Sequence, residues 1–151
     1  MTKKLILTRP EGWERRLVAA IEHHSEIPGE WGKSDCWMMA LDGIEAVTGV
    51  RLFIALRRYK SEAGGYRAFA KLGFTTVEEA FASALEPIGR FSAMRGDVGV
   101  VEREGLISAG VFDGEGLAVK TLYGDAKQIV RSDVQRFPLS AVKAAFKVGR
   151  D

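Results

Sequence analysis

The sequence predicts an α+β domain with helices first and an antiparallel sheet second. Two textures carry this. Up to about residue 86, apolar side chains recur at the three-to-four spacing of amphipathic helices. After Pro87 the stretch RGDVGVVEREGLISAGVFDGEGLAVKTLYGD is built of short apolar runs separated by EREG and DGEG, which are hairpin-like turn signals. A third observation sets the scale: 151 residues, 46% hydrophobic and 28% charged, suit one soluble domain with a continuous core. The expected organisation is one domain over 1–151, with a helical half at about 8–86 and a sheet half at about 96–148.

Thr8 is placed to cap a first helix that has Pro10 in its opening turn and then Trp13, Leu17, Ala20, Ile21 and His24 as its apolar stripe. Trp13 belongs to the core on this spacing. Pro28, Gly29 and Gly32 mark the following segment as a loop, and Ser34 stands where the next N-cap belongs. From there Cys36, Ala40, Ile44 and Val47 recur along one face, and Gly49 is the expected stop. FIALRRY and YRAFAKLG predict two short helices separated by Gly64 and Gly65. Thr75 and Thr76 stand three residues before Glu78 and Glu79, a capping box that opens a further helix through Val77, Ala80, Phe81, Ala84 and Leu85. At the C-terminus KAAFKVG fits a strand and PLSAVKAAF fits a short helix equally well.

Composition narrows the functional classes. No apolar run approaches the roughly 18 residues of a membrane span, and the start MTKKLILTRPEGWERR lacks a signal peptide's apolar core. A cytoplasmic or virion-associated location is therefore expected, without membrane insertion. One cysteine cannot form an internal disulfide, and with two histidines and no cluster a zinc site is not expected, nor is any other metal or cofactor. The net charge of +2 is spread among twenty acids, so no nucleic-acid partner is expected. The densest basic spot, LRRYK at 56–60, reads as the solvated edge of a helix. Arg95-Gly96-Asp97 reads as a turn into a strand and Asp113-Gly114-Glu115-Gly116 as a hairpin turn; the latter lacks the ligand alternation of a calcium loop.

The chemistry centres on Cys36. A thiol in the first turn of a helix meets unpaired backbone N–H groups and the positive end of the helix dipole, which favour the thiolate. Asp35 beside it and burial against Trp31 or Trp37 act the other way. A nucleophile and a small buried side chain are both compatible with this local sequence.

WGKSDCW opening an apolar helix, followed by further helices and then RGDVGVV with ISAGVF as the second strand of a hairpin, resembles the NlpC-type branch of the papain-like superfamily. More narrowly, the chain resembles a family of uncharacterised phage and prophage proteins, often linked to tail genes, that share WG, DC, GD and GV motifs. Trp31, Gly32, Asp35, Cys36, Gly96, Asp97 and Gly110 carry the resemblance, which covers roughly residues 27–123. It implies a nucleophilic cysteine at a helix N-terminus, docked on an antiparallel sheet whose second strand supplies a histidine base. Here Ser108 stands at that histidine's position, in Ser108-Ala109-Gly110-Val111-Phe112, and no histidine follows Cys36. A serine hydroxyl cannot act as the general base at neutral pH.

His24 on the preceding helix is the remaining candidate base, within reach of Cys36 through the loop at 25–34; the alternative is a core-facing histidine. Two functions are expected on this basis. The favoured one is a phage- or prophage-derived, tail-associated binding or assembly module that has lost the catalytic histidine. Its partners would be phage structural proteins or a peptide, with Trp31, Asp35 and Trp37 as candidate ligand-binding residues. The alternative is a cysteine peptidase or amidase acting on cell-wall peptide through Cys36. The oligomeric state is left open.

Overall fold

A computed structural model describes residues 5–125 and 127–150. Four helices, α1 (Trp13–Glu26), α2 (Cys36–Thr48), α3 (Glu62–Lys71) and α4 (Val77–Ala84), precede six strands: β1 (Pro87–Ile88), β2 (Val98–Arg103), β3 (Leu106–Phe112), β4 (Leu117–Gly124), β5 (Ile129–Phe137) and β6 (Val142–Phe146). The strands form one antiparallel sheet in the order β1-β6-β2-β3-β4-β5. The architecture is α+β, as the two textures of the sequence predict. Among the described residues no helix is long and apolar enough to cross a membrane.

Helix α1 buries Leu17, Ile21 and His24, but Thr8 does not cap it. The helix opens at Gly12 in a left-handed conformation. The Arg16 guanidinium donates to the carbonyls of Pro10 and Glu11 at 3.0 and 2.9 Å and so fixes the segment that leads into the helix. At its other end Lys120 of β4 donates to the carbonyls of His24 and, at 2.8 Å, Ile27. A cation thus meets the unpaired acceptors at the helix's negative pole.

The cap of α2 is Asp35 and not Ser34. Asp35 is extended and its Oδ1 accepts from the Met38 N–H at 2.8 Å, while the Ser34 hydroxyl is engaged with His24. A carboxylate is the stronger acceptor at the positive end of a helix. Helix α2 is buried on nearly every face, since it lies between α1 and strands β3 and β4. Gly49 ends it in a left-handed conformation, as expected.

FIALRRY forms one 3₁₀ turn, Ile54–Arg57, and the expected break at Gly64 and Gly65 lies inside α3. Ser61 starts that helix by accepting from the Gly64 N–H at 3.0 Å, and Gly65 packs against the Tyr59 ring. Both glycines are helical residues and neither makes a turn. Helix α4 begins as predicted: Thr76 accepts from the Glu79 N–H at 3.2 Å. The Glu79 carboxylate in turn receives the N–H and hydroxyl of Thr75, each at 2.8 Å.

Glu104 and Gly105, both at positive φ, make the tight turn between β2 and β3, and Asp113–Gly116 turns β3 into β4. Asp97 is fully buried before β2. It holds Arg9, Arg150 and the N–H groups of Met94 and Val148, so the Arg95-Gly96-Asp97 stretch is a structural turn. The C-terminal segment resolves into a 3₁₀ turn, Leu139–Ala141, and strand β6, which inserts between β1 and β2.

Two apolar clusters result. One fills the space between helices and sheet, with Trp37 against Phe53, Phe69 and Phe81 at centroid distances of 5.3, 5.0 and 5.0 Å. The other gathers Val101, Phe112, Leu117, Val119, Val142 and Ala145. Cys36 packs on both.

Candidate functional site

The Cys36 thiol occupies the first turn of α2, close to the backbone N–H groups of Trp37 and, on β3, Ala109, which favour its ionised form. Burial pushes the thiol up to about 12, and the neighbouring Asp35 carboxylate adds to the shift. The two N–H groups and the more distant Arg103 charge do not offset it. The residue is half-buried, between the apolar clusters on which it packs. Cys36 is held as a thiol at neutral pH.

Ser108, at the position of the missing histidine, is the residue before Ala109 and pairs with Val101 of β2. The alternation of β3 puts Ser108, Gly110 and Phe112 on one face and Ile107, Ala109 and Val111 on the other. Gly110 lets β4 close in: a side chain there would meet Leu117 Cγ and Val119 Cγ2 at 2.8 Å.

His24 is 1% exposed and turned to a different set of partners. Its Nε2 stands 2.6 Å from Asp42 Oδ2 and its Nδ1 2.7 Å from Ser34 Oγ. With the carboxylate accepting from Nε2–H, Nδ1 accepts the Ser34 hydroxyl. Arg57 completes the array, donating from Nη1 to Asp42 Oδ1 at 3.1 Å. Burial alone would raise the Asp42 carboxyl, but the bonds from His24 and Arg57 outweigh it and hold the group below its ordinary value. Ser34 and His24 of this Ser-His-Asp grouping are fully buried and only Asp42 reaches the surface; the grouping fastens α1 to α2. His24 lay on the predicted apolar stripe, but its partners sit across a loop on α2 and at its threshold, a pairing that spacing alone does not specify.

Asp35 is 2% exposed and saturated by the chain itself. Oδ1 takes the Met38 N–H, and Oδ2 takes the Gly32 N–H at 2.9 Å and the Tyr59 hydroxyl at 2.6 Å. Burial raises its carboxyl despite these three bonds. Burial, followed by the Asp35 charge, likewise raises the Tyr59 hydroxyl. Gly32 sits at φ +80° with its α-carbon against the Tyr59 carbonyl oxygen, where a side chain would collide with the backbone. The WG and DC motifs therefore meet in one knot of Gly32, Asp35 and Tyr59.

Trp37 lies in the core and donates its indole N–H to the Leu56 carbonyl at 3.1 Å. Trp13 is partly buried beneath the Arg9 guanidinium, which lies 4.4 Å from the ring centroid. Trp31, of the candidate ligand-binding residues the one at the surface, borders a depression of about 520 Å³ with Glu30, Gly32, Lys33 and residues 57–60. The sequence reading assigned 57–60 to a solvated helix edge and so missed this lining. The structure brings Asp35, Cys36 and the Ser108 segment together, leaves Trp31 on the surface nearby in sequence, and takes His24 elsewhere.

An α+β domain with a desolvated cysteine at a helix head, and with no imidazole bonded to it among the described residues, is the class that these observations define. The chain belongs to the family described as Domain of unknown function (DUF6950), whose model matches residues 8–148. No curated protein and no solved structure gives a significant match.

Proposed function

We propose that the protein is a non-catalytic binding or assembly module, of phage or prophage origin and tail-associated, on a papain-like fold of the NlpC type whose catalytic histidine has been replaced. One observation carries the reading. Both ring nitrogens of His24 are engaged, by Ser34 and Asp42, so the histidine that could have stood in as base is committed to holding α1 on α2. A thiol pushed up to about 12, with Ser108 where the resemblance expects a base, supports the same conclusion. The papain-like assignment and the phage connection rest on the WG, DC, GD and GV motifs. A helix-head cysteine whose sulfur meets the strand carrying Ser108 is the arrangement they imply. Phage structural proteins or a peptide are the partners this reading calls for.

The test is the rate of Cys36 alkylation by iodoacetamide between about pH 5 and 10, in the wild type and in His24→Ala. Slow reaction with a midpoint above the free thiol value of about 8.5, indifferent to His24, is expected. A midpoint well below that value which rises in the variant would overturn the reading in favour of a cysteine peptidase or amidase.

A further inference from the structure

We propose that the depression between residues 30–33 and 57–60 is a carboxylate-binding site that docks an acidic peptide segment of a partner protein. The proposal rests on the binding-module reading and names its ligand chemistry. Two observations support it. First, the lining is unbalanced in charge: Lys33, Arg57, Arg58 and Lys60 face one acid, Glu30. Lys33, Arg58 and Lys60 are exposed and form no ion pair among the described residues. They are not a solvated helix edge, because the 3₁₀ turn ends at Arg57 and the chain then lies against Gly32.

Second, Arg57 is already neutralised from within: Nη1 is bonded to Asp42 at 3.1 Å and Nη2 pairs with Glu45 at 3.8 Å, and the side chain is 6% exposed. The charge that a ligand meets in the depression is therefore that of the exposed Lys33, Arg58 and Lys60, which no carboxylate of the described residues offsets. A singly charged carboxylate suits the setting better than a doubly charged phosphate, because Glu30 on the rim and Glu45 beside Nη2 repel excess negative charge. Trp31, half-buried at the same rim, offers a ring face for the apolar part of the residue bearing the acid or for its neighbour.

The experiment titrates the ¹⁵N-labelled full chain with acetyl-hexaglutamate amide, acetyl-hexaglutamine amide and inorganic phosphate. Hexaglutamate is expected to shift the amides of Gly32, Lys33, Tyr59 and Lys60 saturably, with affinity falling as salt rises, and hexaglutamine to leave them in place. Arg58→Gln and Lys60→Gln should each weaken binding about two- to five-fold, whereas Lys143→Gln, on β6, should not. Shifts spread evenly over the basic surface, or no shifts, overturn the proposal. Phosphate saturating the same amides where hexaglutamate does not would reassign the site to free phosphate. Rapid, His24-dependent alkylation of Cys36 alongside intact hexaglutamate binding would remove the module reading and leave the site. Slow alkylation without hexaglutamate binding would remove the site alone.

Discussion

The hydroxyl of Tyr59 donates to Oδ2 of Asp35 at 2.6 Å, tying the segment after the 3₁₀ turn to the cap of α2. Tyr59→Phe deletes that one donor and leaves the ring packing and the Gly32 and Met38 N–H bonds to Asp35. A hydrogen bond to a buried carboxylate contributes about 1.5–3 kcal/mol, and urea denaturation of the variant should show a loss of that size. An unchanged midpoint would mean that Asp35 is satisfied by the backbone alone.

The acid limb of the stability curve should separate Asp35 from Asp42, because their folded-state values move in opposite directions. Asp42, held low, contributes stability that is complete above its ordinary value of 3.8 and is lost as pH falls through the depressed one. The advantage of wild type over Asp42→Asn should therefore shrink on acidification. Asp35, raised by burial, binds its proton more tightly folded than unfolded. Stability falls as pH rises from 3.8 through its folded value, and wild type should lose ground to Asp35→Asn over that interval. Urea midpoints at closely spaced pH values between about 2.5 and 6 read both slopes, and equal slopes for the two variants would contradict the assignment.

Two glycines of nearly the same backbone angle should respond differently to alanine. Gly32 at φ +80° faces the Tyr59 carbonyl, whereas Gly49 at φ +78° has nothing within 4 Å of where a side chain would begin. Gly49→Ala meets only the left-handed backbone cost, about 1–2 kcal/mol. Gly32→Ala adds a collision that moves the loop away from Tyr59 and breaks its bond to Asp35, so a loss of more than about 3 kcal/mol is expected by denaturation.

The α+β division was legible because helices and hairpins leave different periods in the chain, and Thr76, Glu79 and Gly49 act through neighbours in sequence. Ser34 was misassigned because a distant contact, the histidine of another helix, engages its hydroxyl; Thr8 and the Gly64-Gly65 break were misassigned locally, since the left-handed Gly12 opens α1 and the Ser61 cap starts α3 before both glycines. Strand β5 went unnoticed because IVRSDVQRF, at the sheet edge, shows no buried alternation. At the site, the position of Cys36 at a helix head could be read locally. The fate of its candidate base could not, since it depended on which of two neighbouring polar sets His24 would join.

His24→Ala should be costly to the fold and silent for the thiol. It opens a cavity at a position 1% exposed and strands Ser34 Oγ and one oxygen of Asp42, which together place the expected loss at about 2–4 kcal/mol. Cys36 alkylation under conditions where the variant is still folded should match wild type. Faster alkylation there would show that the histidine network, and not only the packing on β3, shields the sulfur.

The complementary change adds a base instead of removing one. In the proposed papain-like register, Ser108, on the strand that α2 packs against, is the position from which an imidazole would reach Cys36. Ser108→His should form a thiolate–imidazolium pair, bring the alkylation midpoint down from about 12 to below the free value of about 8.5, and raise the rate at pH 7.5 by at least about ten-fold. Cys36→Ser in the same background should abolish the labelling. A folded Ser108→His protein that reacts as slowly as wild type would place residue 108 on a face the thiol does not see. The papain-like register would then fail at the pair of residues on which any hydrolase ancestry depends.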